Sequence, residues 1–448
     1  MIHLAYDKGT ILIHGNIKMP NSIWDSRVNA YRARAIFYRD IIDFLNASGF
    51  SYRDDVLDLV PCPNIVMKTV LRDYQEKAAG SWQRAGKRGV VVLPTGAGKT
   101  LVAIKAITIS SPAIVVVPTL DLLDQWRSKL EEELGIKVGA YCSDEHTLAP
   151  VTVATYDTAY LRAAELGNKF RLIVFDEVHH LPSPGYTNIA EMFVCPDRLG
   201  LTATFEREDG LHKEIPALVG GKVFEQKVES MEGIHLANFD LKRIYVSLTP
   251  EEEVQYRRDQ DIFRKYLSDN NILLRTPADF ERLVMRSGRD RDAREAILAR
   301  HRSRMTALNS SQKLEALRKV LEIHSLPDDR VLIFTEHNDL VYKISKQFLI
   351  PFITYTTNKE ERSRNLAMFK SGDYRAIVTS KVLDEGVDVP EANVGIILSG
   401  SGSKREFTQR LGRILRKKGD RKAVLYEIVT KSTVEEDTSR RRNRAVDR

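Results

Sequence analysis

Gly89-Val90-Val91-Val92-Leu93-Pro94-Thr95-Gly96-Ala97-Gly98-Lys99-Thr100 is the stretch on which the fold turns. Its β-branched run, Gly89–Leu93, reads as a strand apolar on both faces, and Pro94 ends it. Thr95, Gly96, Ala97 and Gly98 form a turn whose backbone N–H groups can approach an anion. The helix opening at Lys99 adds its partial positive charge. In such a loop Lys99 reaches the β and γ phosphates of a nucleotide, and the Thr100 hydroxyl reaches Mg²⁺. The general pattern wants a glycine at its first position, where this chain has Leu93.

Downstream, Leu172-Ile173-Val174-Phe175 leads into Asp176-Glu177-Val178-His179. A strand ending in two acids delivers carboxylates beside the phosphate loop. Asp176 is expected to hold Mg²⁺, and Glu177 to orient and deprotonate the attacking water. Adjacent His179 and His180 are poor co-ligands, so no metal is assigned to them. Phosphoryl transfer also needs cations on the γ-phosphate. In Gln409-Arg410-Leu411-Gly412-Arg413-Ile414-Leu415-Arg416, helical spacing puts Gln409, Arg413 and Arg416 on one face. The expected cofactors are therefore ATP and Mg²⁺.

Short apolar runs ending in polar turns recur through the chain. Ala113–Val117, Val151–Thr155 and Leu199–Thr202 join the first series, and Arg330–Phe334, Arg375–Val378, Val394–Leu398 and Val424–Ile428 form a second. The pattern predicts an α/β protein with two tandem RecA-like lobes built on parallel sheets. The expected division is a small N-terminal α+β domain over 1–65, lobe 1 over 66–235, and lobe 2 over 236–249 and 309–438. A helical insertion fills 250–308, and 439–448 is a disordered basic tail. In the N-terminal part, Lys8-Gly9 turns a hairpin, and Tyr31, Ala35, Tyr38, Ile42 and Leu45 follow a helical pattern. Between Glu281 and Arg304, eight arginines stand against four acidic residues, which suits a surface that grips phosphates.

The 448 residues imply several domains. Hydrophobic residues make up 43% and charged residues 29%, as in ordinary globular proteins. No apolar run is long enough to span a bilayer, and the N-terminus lacks a secretory layout, so a cytoplasmic protein is expected. Cys62, Cys142 and Cys195 are too dispersed for a disulfide framework or zinc ribbon. The net charge of +7 favours polyanionic partners.

With these motifs in order, the chain resembles superfamily 2 helicases. Leu71-Arg72-Asp73-Tyr74-Gln75 looks like their adenine-recognising motif, which implies nucleotide contacts for Arg72 and Gln75. Val117-Pro118-Thr119 with Gln125-Trp126, and Ala154-Thr155-Tyr156, resemble DNA-contacting motifs. Thr202-Ala203-Thr204 resembles the motif coupling hydrolysis to movement. Thr379-Ser380 through Asp384-Glu385-Gly386-Val387-Asp388-Val389-Pro390 resembles motif five, which implies nucleotide roles for Gly386 and Asp388 and DNA contact for Thr379.

Within the superfamily, the chain is similar to the XPB (xeroderma pigmentosum group B) helicases in compact archaeal form. The acidic box, Arg207-Glu208-Asp209 after Thr-Ala-Thr, the insertion and the N-terminal domain carry this likeness. The resemblance implies a thumb-like insertion, a damage-recognition domain, and a strand-opening role for Arg207, Glu208 and Asp209. It also implies 3′→5′ action on double-stranded and forked DNA in nucleotide excision repair, with a structure-specific nuclease as partner. The location implied is nuclear if the source is eukaryotic, and the sequence leaves the oligomeric state open. The alternatives are a duplex translocase that remodels protein–DNA complexes without separating strands, and a catalytically silent DNA-binding scaffold.

Overall fold

The computed structural model describes residues 1–15, 17–207, 209–226, 239–326, 328–380, 392–400 and 423–443. The chain divides into two compact units, one holding the described residues up to 226 and the other those from 239 onward.

The first unit begins with a five-stranded sheet of β1 (Ile2–Asp7), β2 (Thr10–His14), β3 (Ser22–Asp25), β4 (Ala30–Arg34) and β5 (Tyr52–Asp55), in the order β3-β4-β2-β1-β5. Lys8 and Gly9, both with positive φ, turn the β1–β2 hairpin as expected. The helix predicted from Tyr31 onward covers only Tyr38–Ala47. Tyr31 lies instead in β4, opposite Trp24 of β3 with the rings 5.1 Å apart, and Ala35 sits in a 3₁₀ turn. A cross-strand aromatic pair outweighs the helical spacing here.

The second sheet contains β6 (Arg88–Val92), β7 (Ala113–Val117), β8 (Gly139–Tyr141), β9 (His146–Thr147), β10 (Val151–Thr155), β11 (Leu172–Phe175), β12 (Asp197–Thr202) and β13 (Lys222–Glu225). Its order is β13-β6-β12-β11-β7-β10-β8-β9, and every described pair is parallel except β8–β9. Strands β7, β10, β11 and β12 are buried along their whole length, as their two-sided apolar runs demand. Their parallel alignment brings the ends of β6, β7, β10, β11 and β12 to one edge of the sheet. That carboxyl edge is where open α/β sheets bind ligands.

The N-terminal sheet is built into this unit. Val194 packs in the same cluster as Leu4, Ile11, Ile13 and Leu45. The Tyr6 hydroxyl lies 3.1 Å from the Ala163 carbonyl and 3.3 Å from that of Met192. Deeper still, the fully buried Arg198 of β12 spreads its guanidinium over four carbonyls, at Phe193 (2.6 Å), Ala190 and Leu218 (2.8 Å each) and Cys195 (3.2 Å). It thereby satisfies carbonyls around the ends of helices Thr187–Met192 and Ile215–Leu218 that have no partner within the helix.

The second unit is a parallel sheet of β14 (Phe239–Val246), β15 (Val331–Phe334), β16 (Phe352–Ile353), β17 (Ala376–Thr379), β18 (Val394–Ile397) and β19 (Ala423–Thr430), ordered β14-β19-β18-β15-β17-β16. Between β14 and β15 stand the helices Pro250–Asp269, Pro277–Ser287 and Arg291–Leu308, around a small core of Phe263, Tyr266, Leu283, Ala293 and Ala296. Thr249, Thr276 and Asp290 cap them. Five of the eight arginines between Glu281 and Arg304 are engaged. Arg286 pairs with Asp290 and Arg304 with Glu336, Arg282 pairs with Asp279, and Arg300 stacks 4.3 Å above Phe280. Arg289, Arg291 and Arg294 are exposed and make no ion pair among the described residues.

The last helix, Val434–Asn443, corrects one expectation: residues 439–443, read as disordered tail, are helical. Buried Lys313 anchors the start of this helix, 2.5 Å from Glu435 and 2.6 Å from the Leu398 carbonyl. No helix among the described residues is long and apolar enough to cross a membrane.

Candidate active site

The phosphate loop leaves β6 at Leu93 and enters helix Lys99–Ile109. Gly96 (φ +82°) and Gly98 (φ +78°) lie in the left-handed region that favours glycine. A side chain at Gly98 would also run into the Gln75 amide. That amide is spent on the loop itself: its oxygen accepts from the Arg72 N–H (2.9 Å), and its nitrogen donates to the Ala97 carbonyl (3.0 Å). Tyr74 donates to the same carbonyl at 2.7 Å. In the described arrangement, Arg72 and Gln75 brace the loop from the start of helix Asp73–Arg84.

Within the loop, the Lys99 ammonium and the Thr95 hydroxyl are buried and make no hydrogen bond among the described residues. Lys99 lies 3.5 Å from Glu177, an ion pair too long for a good N–H···O contact. Buried donors left without acceptors are costly. A polyphosphate meets that need, so these residues fit a nucleotide, with Thr100 in the helix's first turn beside them.

The acidic pair ends β11. Asp176 is clamped on all sides. Its carboxylate accepts the Trp126 indole N–H at 2.7 Å and the Glu177 backbone N–H at 3.0 Å. Its own N–H donates to the Val116 carbonyl (2.9 Å), and its carbonyl accepts the Tyr156 hydroxyl (3.1 Å). Burial, and then the neighbouring Glu177 charge, push the Asp176 carboxyl up to about 6. An ionised carboxylate placed there is short of countercharge, which suits a divalent cation. Glu177 sits in left-handed backbone (φ +46°), a strained state for a residue with a side chain. His179 lies 3.4 Å from its carboxylate and 3.3 Å from the Thr202 hydroxyl.

The coupling residues continue from there. Thr202 ends β12, and its hydroxyl donates to the Thr204 carbonyl (2.8 Å) and accepts the Thr204 N–H (3.1 Å). Arg207 forks onto Asp209 at 2.6 and 2.9 Å and also bonds the His179 carbonyl. The expected wedge is thus tied into the backbone of the acidic box, and Glu208 lies outside the described residues. Thr119 and Thr155 cap helices Leu120–Leu134 and Tyr156–Leu161 by accepting from Leu122 and Thr158. Both helices start at the carboxyl edge, where bare N–H groups suit phosphates.

In the second unit, Thr379 ends β17 fully buried, with its hydroxyl on the Ser380 carbonyl at 2.9 Å. Gly386, Asp388, Gln409, Arg413 and Arg416 lie outside the described residues. The structure therefore brings together Lys99, Thr100, Asp176 and Glu177, with Thr202 and Thr204 joined through His179. Sequence reading did not assign Trp126, Tyr156 and His179 to this site. Trp126 had a readable signal, because a buried indole needs an acceptor.

Comparison with known proteins bears on the family and the fold. Residues 4–56 match the family "Xeroderma pigmentosum group B helicase damage recognition domain". Residues 68–207 match "Type III restriction enzyme, res subunit", and 294–447 match "ERCC3/RAD25/XPB C-terminal helicase". The chain is 46% identical to "DNA 3'-5' translocase XPB2" of Sulfurisphaera tokodaii, across 99% of this chain and 100% of the relative. It is 30% identical to "DNA 3'-5' helicase XPB" of Kineococcus radiotolerans, across 84% of this chain and 62% of that longer relative. Among solved structures, the Pyrococcus furiosus Hef helicase domain shares the fold, with a TM-score of 0.54 at 18% identity over 82% of this chain and 97% of that one.

Proposed function

Because the chain belongs to the XPB family of helicases, we propose that it is an ATP-dependent 3′→5′ DNA translocase that tracks along and opens duplex DNA in excision repair. The observation that carries this reading is the carboxyl edge of the first unit. Buried, bond-poor Lys99 and clamped Asp176 share it with the helix starts at Thr119 and Thr155.

In this reading, Lys99 and the loop N–H groups hold the phosphates, and Thr100 and Asp176 hold Mg²⁺. The bound ion would neutralise phosphate charge and screen the leaving group. Glu177, held off the ordinary strand geometry, orients water and takes its proton. Arg413 and Arg416 would supply positive charge to the γ-phosphate, and Gln409 a neutral hydrogen bond. Gly386 and Asp388 take the nucleotide roles implied by motif five. Thr119 and Thr155 contact the DNA backbone, so binding is independent of sequence and sensitive to salt, whereas the fully buried Thr379 side chain does not take the DNA contact expected of it. Double-stranded and forked DNA are the proposed substrates, a structure-specific nuclease the proposed partner, and the cytoplasm the proposed location.

Lys99→Ala and Glu177→Gln test the site in a DNA-stimulated ATPase assay. Both should abolish stimulated turnover, and near-normal turnover in either would overturn the assignment. The translocase title of the Sulfurisphaera relative favours movement on duplex DNA as a second reading. Strand displacement run beside triplex displacement separates the two: loss of a triplex strand without duplex opening favours translocation alone.

A further inference from the structure

Asp176 receives one bond from a part of the chain that the nucleotide site does not otherwise use. The Trp126 indole lies in the middle of helix Leu120–Leu134, two turns beyond its cap at Thr119. It is 3% exposed, on the buried face with Leu123 and Leu130, so the ring cannot swing away unless the helix itself moves. Its N–H ends 2.7 Å from the Asp176 Oδ2 atom, while Oδ1 takes the Glu177 N–H. An indole only donates, and a carboxylate offers about four acceptor positions. Both oxygens are therefore fixed in direction, yet each keeps a lone pair for a cation or its water. Tyr156 and Val116 hold only the backbone of Asp176. Trp126 is the side chain that sets the carboxylate plane.

We infer that Trp126 is a positioning residue: it aims the Asp176 carboxylate for Mg²⁺ and transmits the position of helix Leu120–Leu134, where DNA binds, to the hydrolytic site. The inference rests on the proposed function for its DNA half and on geometry alone for its Mg²⁺ half. Outer-shell donors of this kind typically change metal affinity by about 10–100-fold when removed.

Trp126→Phe keeps the ring and deletes the donor. Binding of a fluorescent ATP analogue is titrated with Mg²⁺, and ATPase is measured with and without duplex DNA. The Mg²⁺ concentration for half-saturation should rise about tenfold, with binding in chelator unchanged, and the ratio of DNA-stimulated to basal turnover should fall about tenfold. Unchanged half-saturation overturns the role at Asp176. A weakened Mg²⁺ response with full DNA stimulation overturns the coupling. Wild-type ATPase that ignores DNA overturns the proposed function instead, and the Mg²⁺ titration still decides Trp126.

Should the phenylalanine variant not fold, ¹⁵N-indole spectra of the wild type decide. A strongly hydrogen-bonded indole proton must shift when Mg²⁺ and the nucleotide analogue are added, and again with DNA. If the indole left after Trp24 and Trp82 are identified with Trp24→Phe and Trp82→Phe does not respond to both additions, the inference fails.

Discussion

Asp176→Asn isolates the cost of the buried carboxylate. In the folded chain burial and the neighbouring Glu177 charge push this group up to about 6 from the ordinary 3.8, a cost on the order of a few kcal/mol. The raised value means that the folded state favours the neutral acid. Stability from this group is therefore complete below pH 4 and is lost as pH rises through 6. Asparagine is neutral at every pH and its carbonyl can still accept from Trp126. Its NH₂ cannot accept from the Glu177 N–H, a loss of about 1 kcal/mol. Without nucleotide at pH 8, the variant should be more stable than wild type by about 2 kcal/mol, or about 4–8 °C in the melting of the first unit. At pH 4 the order should reverse by roughly 0.5 kcal/mol. Calorimetry in chelator between pH 4 and 8 measures both. Mg²⁺ with an ATP analogue should then stabilise wild type more than the variant. A variant that melts at a constant offset from wild type across this range would refute the argument.

Gly98→Ala should lower nucleotide affinity at least tenfold in a binding titration, since φ +78° and the Gln75 amide both oppose a side chain there. Arg198→Lys replaces a fork bonded to four carbonyls by a single ammonium and should cost about 3–5 kcal/mol, measured by urea unfolding. Combined replacement of Arg289, Arg291 and Arg294 by glutamine tests the exposed arginines between Glu281 and Arg304 that make no ion pair among the described residues. If these three grip phosphates, the slope of log affinity for duplex DNA against log salt should become shallower by roughly 2–3.

The central strands could be read from the sequence because the positions they bury are apolar on both faces. Val151–Thr155 and Leu172–Phe175 fall where the runs predict them. The insertion was legible through its charge-rich helical stretches. Other elements depend on partners remote in the chain. Phe239–Val246 alternates weakly and becomes a strand by pairing with Ala423–Thr430 along its full length. Tyr31 obeys a neighbour across the sheet. Arg198 stands inside a strand, where a charge argues for exposure, and only the surrounding carbonyls explain its burial. The arginine excess of 281–304 overstated the free charge, because aromatic faces and acids on other helices take up several of those arginines.

The backbone of the acidic pair carries information that its two letters do not. In a continuing strand, Asp176 and Glu177 would point to opposite faces of the sheet. The left-handed backbone at Glu177 breaks that alternation and brings its carboxylate to 3.5 Å from Lys99, the side on which the phosphate loop lies. Glycine or asparagine would adopt this backbone more cheaply, and a glutamate there costs about 1–3 kcal/mol. The structure meets that cost in a segment held by the Trp126, Tyr156 and Val116 bonds to the preceding residue. Asp176 is thus the fixed member of the pair and Glu177 the strained one, facing both Lys99 and His179. A rigid carboxylate suits holding a cation, and one set on a strained turn between a cation and an imidazole suits handling a proton. Backbone geometry thus supports the proposed division of roles with detail that two adjacent acids in a sequence do not carry.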